Sequence, residues 1–150
     1  MEIKIEALSI KHLDKLYEIE KQCFKQEAFT KQQLAYLLTD YNSIGLAACV
    51  NGEIAGFAIA RVDIGINAQF VHILTLDITP VYRRKGIAHT VLHEIETLFK
   101  EKGIKECRLE VREGNVAALS FYQKLGYKQI SRLEKYYGNA HGLYLKKTLH

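Results

Sequence analysis

Between the apolar run Phe70 to Ile78 and an amphipathic stretch that begins at Ile87, the chain reads Arg83-Arg84-Lys85-Gly86-Ile87-Ala88. This requires a fold in which a helix starts just beyond the end of a strand, with cations and a glycine in the turn. The first N–H groups of a helix have no partner inside it, and the aligned peptide dipoles leave roughly half a positive charge there, so the turn is a preformed anion site. Gly86 lets the backbone approach a ligand closely, while Arg83 and Arg84 can add charge-assisted contacts to a phosphate. A basic loop that merely solvates a helix start would use the same residues. The nucleotide P-loop and the three-glycine dinucleotide fingerprint are both absent.

A chain of 150 residues suits one domain, residues 1–150, that buries roughly two-thirds of the surface its unfolded form exposes. The net charge of +4 favours anionic ligands but falls short of the dense basic stripe of a nucleic-acid binder. Cys23, Cys49 and Cys107 are odd in number and far apart, which fits a reducing cytosol better than a disulfide framework or a zinc knuckle. With no signal-like N-terminus and no run able to span a bilayer, the expectation is a soluble cytoplasmic protein with no membrane partner. His89 and His93 stand four apart, but Thr90 stands where a zinc hydrolase motif has Glu, so no metal site is expected.

Ile3, Ile5 and Ala7 alternate with charges as in a strand, and Ser9 is placed to cap a helix with Leu13, Leu16, Tyr17, Cys23 and Phe24 on its apolar face. Thr30 and Gln33 have capping-box spacing before a second short helix. Asn51-Gly52 between the runs Ile44–Val50 and Ile54–Val62 signals a tight hairpin, and Phe70–Ile78 makes a fourth strand. A third helix from Ile87 stops at Gly103, and Cys107, Leu109 and Val111 alternate with Arg108, Glu110 and Arg112 in a fifth strand. Asn115 caps a fourth helix over Val116–Leu125, and two last strands, about Tyr127–Tyr136 and Leu143–Thr148, form a hairpin. This element order predicts a mixed α/β sheet.

Arg83, Gly86 and Ala88, spaced as Arg-x-x-Gly-x-Ala after the strand and Pro80, resemble the cofactor motif of the GNAT superfamily of N-acetyltransferases. Leu109-Glu110-Val111-Arg112, Asn115, Ala118, Phe121-Tyr122 and Leu125-Gly126-Tyr127 are similar to its ribosomal-protein alanine acetyltransferase (RimI-like) branch and related protein N-terminal acetyltransferases. The resemblance covers nearly the whole chain. It implies about seven mostly antiparallel strands with four helices and a sheet splayed between strands four and five. It also implies acetyl-CoA as cosubstrate, with the diphosphate on Arg83, Arg84, Lys85, Gly86, Ile87 and Ala88 and the pantetheine arm along Leu76 and Ile78. In that branch Glu110 would be the general base, Tyr122 the general acid, and Asn115 would position the cofactor or a water. Tyr136 and Tyr137 would line the acceptor groove. Phe29 would replace a Trp usual in the loop after the first helix.

The chemistry asks for such groups. An α-amine with a pKa near 8 is mostly protonated at neutral pH, so its attack on a thioester needs a base. A carboxylate near 4.3 suits that task only if burial raises it or water relays the proton, and a phenol near 10 is a modest acid that can orient the sulfur. Read from the residues alone, Glu110 could equally be a solvated ion-pair partner of Arg108 or Arg112, Tyr122 a core residue, Asn115 a plain cap, and Tyr136 and Tyr137 ordinary strand aromatics. Cys107 is expected as buried filler. The expected acceptor is a protein N-terminal α-amine, a ribosomal protein among the candidates, with a small-molecule amine or turnover-free acyl-CoA binding as alternatives, in a monomer or homodimer without nucleic acid.

Overall fold

The computed structural model describes residues Met1–His150. Seven strands form one sheet in the order β1-β2-β3-β4-β5-β7-β6. The strands are β1 (Lys4–Ala7), β2 (Ser43–Val50), β3 (Glu53–Ile64), β4 (Gln69–Ile78), β5 (Glu106–Arg112), β6 (Lys128–Leu133) and β7 (Gly142–Thr148). Every neighbouring pair is antiparallel except β4 and β5. Four helices cover the sheet: α1 (Leu13–Cys23), α2 (Lys31–Thr39), α3 (Ile87–Glu101) and α4 (Val116–Lys124).

The two central hairpin strands read as continuous apolar runs because both faces of the sheet are covered. On one face Ala48, Ala58, Ala60, Val71 and Leu109 pack with Val91, Leu92 and Ile95 of α3 in the larger core. On the other, Ala47, Phe57 and Ile59 pack with Leu16 and Ile19 of α1 and Leu34 and Leu37 of α2. Asn51 and Gly52 both take positive φ, as the tight β2–β3 turn demands.

The Thr30 capping box is present in both directions, Gln33 N–H donating to Thr30 Oγ1 at 3.1 Å and Thr30 N–H to Gln33 Oε1 at 2.9 Å. Thr30→Ala is expected to cost about 1 kcal/mol. A urea titration reads this as a lower midpoint at unchanged slope, and an unchanged midpoint would show that the cap contributes nothing.

Three expectations about element ends are corrected. Ser9 opens a 3₁₀ turn, Ile10–His12, rather than α1 itself, because its N–H donates to His12 Nδ1 at 3.0 Å. Phe24 lies outside α1 in extended conformation, so it leaves the helical stripe. The sixth strand is shorter than expected, which puts Tyr136 and Tyr137 in the β6–β7 connection rather than on a strand. No helix is long and apolar enough to cross a membrane.

Candidate active site

β4 and β5 pair only at Val71–Cys107 and His72–Arg108. Just beyond, Ile59 of β3 faces Thr75 while Ala60 faces Ile73, so Leu74 has no partner and β4 bulges. A bulge bends its strand, and here the two parallel strands separate past it. A cavity of about 490 Å³ occupies the gap, walled by Ile73–Leu76 of β4 and Leu109–Arg112 of β5. Leu76, Glu110, Asn115, Tyr122, Phe29, Tyr136 and Tyr137, far apart in sequence, all line it. Asn115 also caps α4, its Oδ1 accepting from Ala118 N–H at 3.1 Å.

The basic turn lies past the end of β4, outside this lining. Arg83, Arg84, Lys85 and Gly86 are exposed, whereas the Ile87 side chain is buried in the larger core and can offer a ligand only its backbone. Gly86 is the N-cap of α3 with φ 80°, and open space lies where a side chain would project. Thr90 N–H reaches back to Gly86 O at 3.1 Å, so the N–H groups before it in the first turn face outward without helical partners. The turn has the form a diphosphate needs. Arg83 differs from expectation in one respect: its Nε donates to the Ile78 carbonyl at 3.2 Å, turning the guanidinium back toward the strand end and Cys23. Arg84 and Lys85 are left as the outward cations.

Glu110 is not a solvated partner of the arginines beside it. Its Oε1 lies 2.7 Å from His72 Nε2, His72 Nδ1 lies 3.0 Å from Asp63 Oδ2, and Arg61 Nε donates to Asp63 Oδ1 at 2.7 Å. None of these three partners was singled out in the sequence. His72 stands inside an apolar run, and only the β3–β4 register, which sets it opposite Arg61, brings Asp63 beside it. The alternation of charge along Arg61, Asp63 and His72 across two paired strands is the one signal that could have found them.

A family model described as the acetyltransferase (GNAT) family matches residues 13–127. The chain belongs to this family. It is 31% identical over 148 residues to a spermidine N(1)-acetyltransferase of Thermoplasma acidophilum, covering 85% of this chain and 89% of that protein. It is 29% identical over 92 residues to the [ribosomal protein bS18]-alanine N-acetyltransferase of Escherichia coli, covering 61% of this chain and 60% of that one. Among solved structures, a PaiA N-acetyltransferase from Thermoplasma acidophilum in complex with coenzyme A superposes with a TM-score of 0.83 at 27% identity, over 99% of each chain.

The electrostatics of this GNAT acetyltransferase separate its groups. Burial pushes the Tyr122 phenol well above its ordinary value, so it stays protonated. Its ring packs edge-on against Tyr127, centroids 5.6 Å apart. Burial pushes the Cys107 thiol up to about 12, in keeping with a filler rather than a nucleophile. Asp77 is fully buried and, through burial and the adjacent Glu20, is held well above its ordinary value. Thr75 hydrogen-bonds both acids, and Glu20 Oε2 accepts from Phe29 N–H at 3.0 Å. This buried set fixes the α1–α2 loop that carries Phe24, Glu27 and Phe29 into the cavity wall. Across the cavity Arg112 donates to Glu27 at 3.2 Å and lies over the Tyr137 ring at 5.3 Å, tying that loop to β5 and the β6–β7 connection.

Proposed function

We propose that this acetyltransferase transfers the acetyl group of acetyl-CoA directly to the α-amine of a protein or peptide N-terminus. The observation that carries the reading is the cavity in the split sheet. It brings Glu110, Tyr122 and Asn115 against the aromatic side chains of two loops, with the anion-binding turn beyond the end of β4. Acetyl-CoA supplies a thioester, which an amine can attack without a covalent enzyme intermediate.

The N–H groups opening α3, with Arg84 and Lys85, hold the diphosphate. Past His72 the edge of β4 facing β5 has no strand partner, so the backbone around Leu76 and Ile78 can receive an extended amide-bearing arm as a strand would, the Ile78 carbonyl once Arg83 Nε and Cys23 Sγ give it up. Glu110 takes the proton from the acceptor amine. Tyr122, held protonated, donates a hydrogen bond to the departing sulfur. Asn115 orients the acetyl end or a water. Phe29, Tyr136 and Tyr137 form the acceptor walls and exclude water from the reacting groups.

A second reading has its own support. The cavity lining carries Glu20, Glu27 and Glu110 against the single cation Arg112, which suits a polyamine, and the spermidine acetyltransferase relative points the same way. Thiol release from acetyl-CoA, measured with peptides differing in first residue alongside spermidine and lysine, decides between them. The expected result is a kcat/KM at least about tenfold higher for the best peptide. The reverse order would establish the small amine.

A further inference from the structure

The hydrogen-bonded series Glu110–His72–Asp63–Arg61 runs away from the cavity, and its last three members take no part in the cavity lining. We propose that Asp63 is a positioning residue which, through His72, sets the pH range in which Glu110 can accept a proton from the acceptor amine. This rests on Glu110 being the base of the transfer reaction.

The two oxygens of Asp63 are divided between partners, Oδ1 to Arg61 and Oδ2 to His72 Nδ1. Burial alone would raise the Asp63 carboxyl, but the hydrogen bonds from Arg61 and His72 outweigh it and hold the group below its ordinary value, so it is an anion. An anion at Nδ1 can only accept, which fixes a proton on that nitrogen. The state of His72 therefore varies at Nε2, the atom 2.7 Å from Glu110.

The charges around the ring are mixed. From β3 come Asp63 and, behind it, Arg61. From β5 come Glu110 and Arg108, the latter opposite His72 in register, stacked over Phe70 and bonded to Glu106 and to Tyr144 of β7. Burial pulls the His72 pKa down, but the bonds to Glu110 and Asp63 prevail and leave it above the ordinary histidine value.

Two states follow. As an imidazolium, His72 donates Nε2–H to Glu110, which occupies Oε1 and leaves no room for a further proton between the two groups. As the neutral Nδ1–H tautomer, its Nε2 lone pair faces Glu110. The N–H bond of the attacking amine then breaks, a new O–H bond forms on Glu110, and the proton is shared with Nε2. Release of one proton to water restores the pair. Activity should therefore rise with pH as His72 loses its extra proton.

Asp63→Asn removes the charge that favours the imidazolium while keeping the side-chain shape. Its expected effect is to move the ascending limb of kcat against pH, at saturating acetyl-CoA and acceptor, toward lower pH, so that the variant is faster than the wild type on the acid side. A merely structural role would give a loss at every pH. The same displacement should appear without turnover, in the ¹⁵N imidazole titration of His72 assigned by comparison with His72→Gln, and Asp63→Glu should restore the wild-type midpoint. An unmoved midpoint, or a uniform fall in rate, overturns the proposal. Should the Asp63 variants fail to fold, the wild-type titration still decides, since a His72 midpoint below the ordinary value near 6.5 contradicts it. Failure of the underlying reading is distinguishable, because there Glu110→Gln would retain acetyl transfer while the His72 titration could still be measured.

Discussion

Replacing Glu110 by Gln is expected to lower kcat by about 100- to 10,000-fold at neutral pH, the range removal of a general base commonly produces, with little change in KM for acetyl-CoA. Gln retains the shape and a carbonyl oxygen toward His72 Nε2, 2.7 Å from Glu110 in the wild type, so the structural contact can survive while the proton acceptor is lost. Glu110 sits in the wall of the split, whereas the basic turn proposed to hold the diphosphate lies past the end of β4, which is why the effect should fall on turnover and not on cosubstrate affinity. Steady-state kinetics with both substrates varied provide the check. A loss confined to the KM of acetyl-CoA would mean that another group takes the proton.

Gly86→Glu is expected to weaken acetyl-CoA binding by on the order of 10- to 1000-fold. A negative charge within about 4 Å of a phosphate costs about 4 kcal/mol at an effective dielectric constant near 20, and solvent exposure reduces that figure. Gly86 takes φ 80° with nothing within 4 Å of the point a Cβ would occupy, so a side chain meets open space and the cost to the fold is only that of a left-handed backbone, about 1–2 kcal/mol. Gly86→Ala bears the same strain without the charge and separates the two. Calorimetry should show Ala close to the wild type and Glu far weaker. Equal affinities for all three proteins would place the diphosphate elsewhere.

Where a feature depends on neighbours in sequence, the amino-acid order sufficed. The capping box at Thr30, the cap at Asn115 and the hairpin at Asn51-Gly52 are all local, and each is present as read. The two-faced character of β5 is local too: Cys107, Leu109 and Val111 enter the larger core while Arg108, Glu110 and Arg112 point to the other side. Ser9 shows the limit even at short range, since a His12 nitrogen took its N–H and a 3₁₀ turn preceded the helix.

The alternation of strand and helix, the cations before α3 and the Glu110–Tyr122 spacing were thus decided by residue order, because period, capping and dipole act within a few residues. The partners of Glu110, the inward turn of Arg83, the buried Glu20–Thr75–Asp77 set and the Glu27–Arg112 tie across the cavity were decided by tertiary structure alone. Strand register and a single bulge at Leu74 determine which side chains meet, and such contacts join residues tens of positions apart that no periodicity links.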